Sequence, residues 1–178
     1  LIQRLLDFEP WDARESEHRD VIVKQVEATP LWWHRDTLPG HVTASGFVVD
    51  QALEYLLLHH HRKLDRWLQL GGHDEGEQDP ASAVLREVRE ESGLQSFAFY
   101  DGPNLFDVDV HRIPENKKMA SHLHLDCRFL LVADRHAPLV AAEAESLSIG
   151  WFPLEEAVER MGEVGAQRIA AKIRRLRG

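Results

Sequence analysis

The sequence predicts a mixed α/β domain, and three observations carry that prediction. Short runs rich in Val, Leu, Phe and Thr recur from residue 41 onward, a capped amphipathic helix interrupts them at residues 80–92, and two helical stretches close the chain. Its 178 residues suffice for one domain with a sizeable core.

The elements follow in order. Leu1-Ile2, Leu5-Leu6, Val21-Ile22 and Val26 recur at helical spacing, broken at Pro10. Residues 1–40 are therefore expected to form a helical extension packed on a domain at 41–178. Pro30, Pro39 and Gly40 mark a loop. His41 to Asp50 and Glu54 to His60 read as a hairpin, and Trp67 to Leu70 as a short strand. Gly71-Gly72 follows as a turn where backbone can approach a ligand closely. The helix from Pro80 to Ser92 is specified at both ends. Asp79 is a good N-cap, Pro80 suits the first helical position, and Gly93 fits the left-handed residue just past the end. Val84, Leu85 and Val88 give it an apolar stripe. Strands are expected near Phe97 to Tyr100, Leu105 to Arg112, His122 to Val132 and Leu147 to Phe152, then helices at Leu154 to Met161 and Gly165 to Leu176.

Composition excludes several classes. A net charge of −9 argues against binding a nucleic-acid polymer, which needs a basic stripe. Cys127 is the single cysteine, which rules out an intramolecular disulfide framework and fits a reducing cytoplasm. No apolar run reaches the roughly 18 residues of a membrane span, and no signal peptide is visible. The chain starts at Leu1 without Met and is expected to lack a few initial residues.

The chemistry concentrates on the central helix. Residues three and four apart on a helix are neighbours, so Glu87, Glu90 and Glu91 crowd together, at about 0.2–0.5 kcal/mol per like-charge pair. A solvated acidic face would be balanced by bases four positions on. Those positions hold Glu91, Leu94 and Gln95. The cluster is better read as a metal site.

With Gly72, Arg86-Glu87-Val88, Glu90-Glu91, Gly93 and Leu94 in register, the segment resembles the Nudix hydrolase signature Gx5Ex7REUxEExGU, U being a bulky apolar residue. Gln78 stands where the pattern has its first Glu, with Glu77 just before it. The resemblance implies a Nudix-type α/β/α sandwich with a mixed sheet. It implies Mg²⁺ (or Mn²⁺) on Glu90 and Glu91, with Glu87 as a further ligand or the base, and a backbone carbonyl from Gly72 or Gly71. Arg86, Gln78 and Gly93 take structural roles in the motif. Gln brings no charge to Arg86, and a charge-assisted bond is roughly twice as strong as a neutral one. Lowered activity is expected, unless Glu77 stands in through a one-residue shift.

Two further segments bear on the site. Glu145, and second to it Glu143, lie in an acidic loop before the Trp151 strand, where several Nudix enzymes bring a Glu that reaches the metals or activates water; a solvated loop carboxylate is the other reading. Along His122 to Val132 the period of two puts Leu123, Leu125, Cys127 and Phe129 on one face and His122, His124, Asp126 and Arg128 on the other. We read the polar row as substrate-binding. A His-x-His zinc pair, with no third ligand placed by spacing, and a solvated or internally paired face are the other readings. Cys127 is expected to be a small buried hydrophobe. His59-His60-His61 reads as a solvated turn. Trp32-Trp33 is open between a stacking role and burial. Arg112, Lys117 and Lys118 flank a loop that could attract polyphosphate. Arg168, Lys172, Arg174, Arg175 and Arg177 read as a basic helix end complementing the dipole.

The expected function is Mg-dependent hydrolysis of a diphosphate linkage in a nucleoside diphosphate derivative or related small molecule. Metal-activated water attacks, with Glu87, Glu90, Glu91 and Glu145 as catalytic residues. The alternative is a Nudix-fold ligand-binding or regulatory module with attenuated catalysis. A homodimer is a family-level expectation.

Overall fold

Pro10 separates two helices, α1 (Ile2–Asp7) and α2 (Ala13–Ala28), because its ring fixes φ and removes a backbone donor. Asp12 caps α2 by accepting the Glu15 N–H at 2.8 Å, and the Glu15 carboxylate reaches back to the Trp11 N–H. This reciprocal arrangement satisfies donors that a helix start leaves open. The computed structural model describes all residues except 116–118 and 163, and of Val164 the backbone alone.

Next come β1 (Gly40–Val49) and β2 (Tyr55–His61), paired antiparallel with Val48 opposite Leu57 and Val49 opposite Leu56. Asp50 closes this hairpin by accepting the N–H groups of Glu54 and Tyr55 at 2.7 and 3.0 Å. β1 is buried along its whole length, and Leu56, Leu57 and Leu58 in succession are fully buried. Both strands are therefore covered on both faces. The chain continues through β3 (Arg66–Leu68), β4 (Leu70–His73), α3 (Pro80–Ser92), β5 (Phe97–Phe99), β6 (Asp107–Ile113), β7 (His122–Ala133), β8 (Ser146–Pro153), α4 (Leu154–Met161) and α5 (Val164–Arg177).

Among the described residues the strands join in one eight-stranded sheet. Its path is β3-β2-β1-β7-β5, with β4 on β1, β6 on β7 and β8 on β2. One expectation fails here. Trp67 to Leu70 divides between two strands, and Gly71-Gly72 belongs to β4 instead of forming a turn. Gly71 has φ +148°, a region open to glycine, so the pair stays in the strand while following a path other residues avoid.

By its contacts the chain divides into two units. One comprises Leu1–Ser45, Gly72–Val84 and Pro103–Phe129, with α2 against β6 and a core that includes Leu5, Ile22, Val42, Val84 and Phe129. Cys127 is buried there, as expected of a small apolar side chain. The other comprises Gly46–Gly71, Leu85–Gly102 and Leu130–Gly178, where α4 packs on α5, β2, β3 and β8 over Leu57, Val158, Met161, Ile169 and Ile173. Arg168 and Lys172 are buried, which corrects the solvated basic end for these two residues. Arg174 and Arg177 pair with Glu155 and Glu54. Among the described residues no helix is long and apolar enough to cross a membrane.

Candidate active site

Within the second unit, the part of α3 from Leu85 onward and its neighbours gather a cluster of acids. Glu91 is 2% exposed and Glu87 8%, whereas the Glu90 side chain, one residue before Glu91, is solvated. The Gly71 N–H donates to Glu91 Oε2 at 2.7 Å, and His59 Nδ1 lies 3.6 Å from Glu91 Oε1 and 2.7 Å from the Ser146 hydroxyl. Arg86 spans the acids from the N-terminal side, its Nη1 donating to Glu87 at 3.0 Å and to Glu90 at 3.1 Å. The compensating charge missing four residues C-terminal is thus supplied four residues N-terminal to Glu90.

One guanidinium does not neutralise the group. Burial pushes the Glu87 carboxyl up to about 7 against the pull of Arg86, with Glu90 and Glu145 adding repulsion. Burial likewise pushes Glu91 up to about 8, opposed by the Gly71 N–H and reinforced by Glu87 and by a hydrogen bond with Glu145. His59 is held down to about 4, by burial first and then by His61 and His60, so it is a neutral ring.

Glu145 is brought to this cluster by its loop. Arg62 accepts no part in the sequence motif, yet its N–H donates to the Glu145 carbonyl at 2.7 Å, and its guanidinium donates to the carbonyls of Glu143 at 3.0 Å and Ser146 at 3.2 Å. The Val140 N–H donates to the Ser92 carbonyl, tying the loop to the end of α3. Gly93, at φ +71°, is needed there twice over, since a Cβ would also stand 2.8 Å from Val140 Cβ. Glu143 contributes its carbonyl, and its side chain is exposed.

Glu87, Glu90, Glu91, Glu145, Arg86 and Gly93 therefore gather in one unit. Gly72, Gln78, His122, His124, Asp126 and Arg128 belong to the other. Gln78 is exposed at φ +54°, its N–H on Asp74 Oδ1 at 3.1 Å, while Glu77 accepts the Glu75 N–H. Asp126 and Arg128 are each 2% exposed. Arg128 donates to Asp126 at 2.7 Å, Asp109 at 3.3 Å and Asp107 at 3.4 Å, and Asp126 also accepts from Thr43 and Ser45. The β6–β7 register causes this, setting Asp107 opposite Arg128, Asp109 opposite Asp126 and His111 opposite His124.

Sequence reasoning missed His59, Arg62 and Ser146. His59 corrects the solvated-turn reading, because the β2–β8 pairing covers it. A neutral ring at the end of a buried leucine run was the available signal. Trp32 and Trp33 are half-buried, Arg112 is exposed and bonded to Ser121, and Lys117 and Lys118 lie outside the described residues.

A family model described as the NUDIX domain matches residues 39–173. Solved structures similar to this chain include an Ap4A hydrolase of C. elegans, at TM-score 0.57 and 16% identity over 76% of this chain and 93% of that one. A NUDIX-family hydrolase from Clostridium perfringens gives TM-score 0.57 and 24% identity over 76% and 97%. An E. coli dihydroneopterin triphosphate pyrophosphohydrolase gives 0.57 and 15% over 74% and 92%. At these identities the likeness is one of fold. No curated protein matches the chain.

Proposed function

Because the chain belongs to the Nudix family, we propose that it hydrolyses a diphosphate linkage in a nucleoside diphosphate derivative or related small molecule, using Glu87, Glu90, Glu91 and Glu145. The observation that carries this reading is the pair of buried carboxyls, Glu87 and Glu91, lifted to about 7 and 8 in a group with a third acid at Glu145. Such a set lacks positive charge, and its hard oxygen donors suit Mg²⁺ or Mn²⁺.

Glu87, Glu90 and Glu91 would hold the ion, which when bound supplies neutralising charge for diphosphate oxygens and acidifies water. Glu145, oriented through Arg62, or Glu87 accepts the proton of the attacking water. The water oxygen bonds to one phosphorus while the bridging P–O bond breaks, its electron pair leaving with the departing phosphate. The Gly71 N–H holds the Glu91 carboxyl in place. On β7, Asp126 and Arg128 are engaged with each other, so neither is assigned a substrate-contacting role.

The test is a hydrolysis panel with and without Mg²⁺, including Ap4A and dihydroneopterin triphosphate, on which proteins of the same fold are named as acting, together with ADP-ribose. Turnover that needs the ion and is lost in Glu90→Gln and Glu91→Gln supports the reading. Undiminished turnover in both variants removes the site assignment. Calorimetric binding of a nucleotide without turnover, indifferent to Mg²⁺, favours the binding module instead.

A further inference from the structure

A second polar cluster lies wholly within the unit of Leu1–Ser45, Gly72–Val84 and Pro103–Phe129. His41 stands at the start of β1, His73 at the end of β4 and His124 near the start of β7. Their ring centroids form a nearly equilateral triangle, 5.2 Å between His41 and His73, 5.0 Å between His41 and His124, and 4.9 Å between His73 and His124. One ring nitrogen from each lies within 4.8 Å of the other two.

His41 gives the triangle its meaning. The residue has no exposed surface, and neither of its ring nitrogens has a hydrogen-bond partner among the described residues. A buried polar group left this way keeps its full desolvation penalty, so its position among other imidazoles calls for a ligand. We propose that His41, His73 and His124 bind one divalent transition-metal ion, zinc foremost, through three imidazole nitrogens.

The donor set selects the class of ion. Imidazole suits zinc, copper, nickel and iron, whereas Mg²⁺ and Ca²⁺ prefer the oxygen ligands of the acidic cluster on α3. The two sites would therefore sort different metals. Zinc holds imidazole nitrogen at about 2.0–2.1 Å, so a tetrahedral site brings the nitrogens to about 3.3 Å apart. Side-chain torsions can close the difference from the separations seen here.

Metal binding needs neutral rings, and burial supplies them. It holds His41 and His73 down to about 4, with Arg35 and neighbouring histidines adding to the effect, and His124 lower still. Three protein ligands leave a fourth position for water or an anionic oxygen, the pattern of open zinc sites. His122 stands beside it, its centroid 5.1 Å from His41 and 5.3 Å from His124. Its Nδ1 donates to the Ala120 carbonyl at 2.8 Å.

Untagged protein, stripped with a chelator, is titrated with Zn²⁺ against a chromogenic chelator and with Co²⁺ by visible absorption. One equivalent of zinc and an intense four-coordinate cobalt band are expected. His73→Ala and His124→Ala should each weaken zinc binding by about 100-fold or more, given that even supporting hydrogen bonds are worth 10–100-fold. The Glu90→Gln/Glu91→Gln double variant should keep its zinc, which separates this site from the proposed hydrolytic one. Absence of stoichiometric zinc and of the cobalt band in the wild type overturns the proposal. So does zinc that survives in a folded His124→Ala chain and is lost with the two glutamates. If a histidine variant fails to fold, as read by circular dichroism, the wild-type cobalt spectrum decides.

Discussion

Asp107, Asp109 and Asp126 surround one guanidinium, and Asp126 accepts two hydroxyl hydrogen bonds as well, whereas Glu87 and Glu91 face a third acid with Arg86 set to one side. Both groups are buried carboxylates. Burial alone would raise the pKa of either. At Asp109 that effect is outweighed by His111, Arg128 and His18, and the carboxyl falls to about 2, while at Glu87 and Glu91 burial prevails. A satisfied ion cluster holds a strand pair together. An unsatisfied one would, under the proposed function, receive a cation.

If that contrast is right, the acids on α3 matter most to turnover. Glu90→Gln and Glu91→Gln should each lower kcat by about 10²–10⁴-fold, measured on whichever diphosphate the panel identifies. Retained kcat in both would place the unsatisfied acids outside the chemistry.

The two clusters should respond oppositely to neutralisation. Arg128→Met strands three aspartates and should cost about 3–5 kcal/mol of stability in urea unfolding. Glu91→Gln in metal-free protein at neutral pH should change stability by about 1 kcal/mol or less, because a carboxyl lifted to about 8 is already largely protonated there. Equal losses from both substitutions would erase the distinction. Added Mg²⁺ sharpens it further: at 100 times its Kd it should stabilise the wild type by about 2.7 kcal/mol, read as a rise in Tm, and Glu91→Gln should abolish most of that gain.

The sequence disclosed whatever was local. The ends of α3 fell at Pro80 and Ser92 because caps and the Gly93 stop depend on adjacent residues, and the Glu87, Glu90, Glu91 cluster follows from helical spacing. Long-range pairing hid the rest. His59 and Arg62 join the acids through the β2–β8 pairing and the 142–146 loop, and no motif spans those positions. Compensation by Arg86 escaped a rule that looked only C-terminally. The His-x-His pair on β7 was visible, but His41 and His73 come from β1 and β4, so no spacing could supply a third nitrogen.

An effect smaller than the loss of Arg128 is expected in the pH dependence of the satisfied cluster. Asp109 has its folded pKa depressed from 3.8 to about 2, so it contributes stability that is complete above the unfolded value and lost as pH falls from about 4 to about 2. At 1.36 kcal/mol per unit this is about 2 kcal/mol. His111 works in the opposite direction. Burial lowers its pKa, but Asp109 and Asp126 prevail and the net shift is upward from 6.5. Its contribution is therefore complete below the unfolded value and fades as pH rises through the folded one. His18 and Arg128 are the other ionisable neighbours of Asp109, and Arg128 keeps its charge throughout. Urea midpoints should thus form a plateau between about pH 4 and 6.5 in this unit's contribution. Asp109→Asn should remove the acid limb and flatten the His111 limb together, since the two share a hydrogen bond at 3.1 Å. An unchanged profile in that variant would mean that the aspartates around Arg128 are as uncompensated as the glutamates on α3.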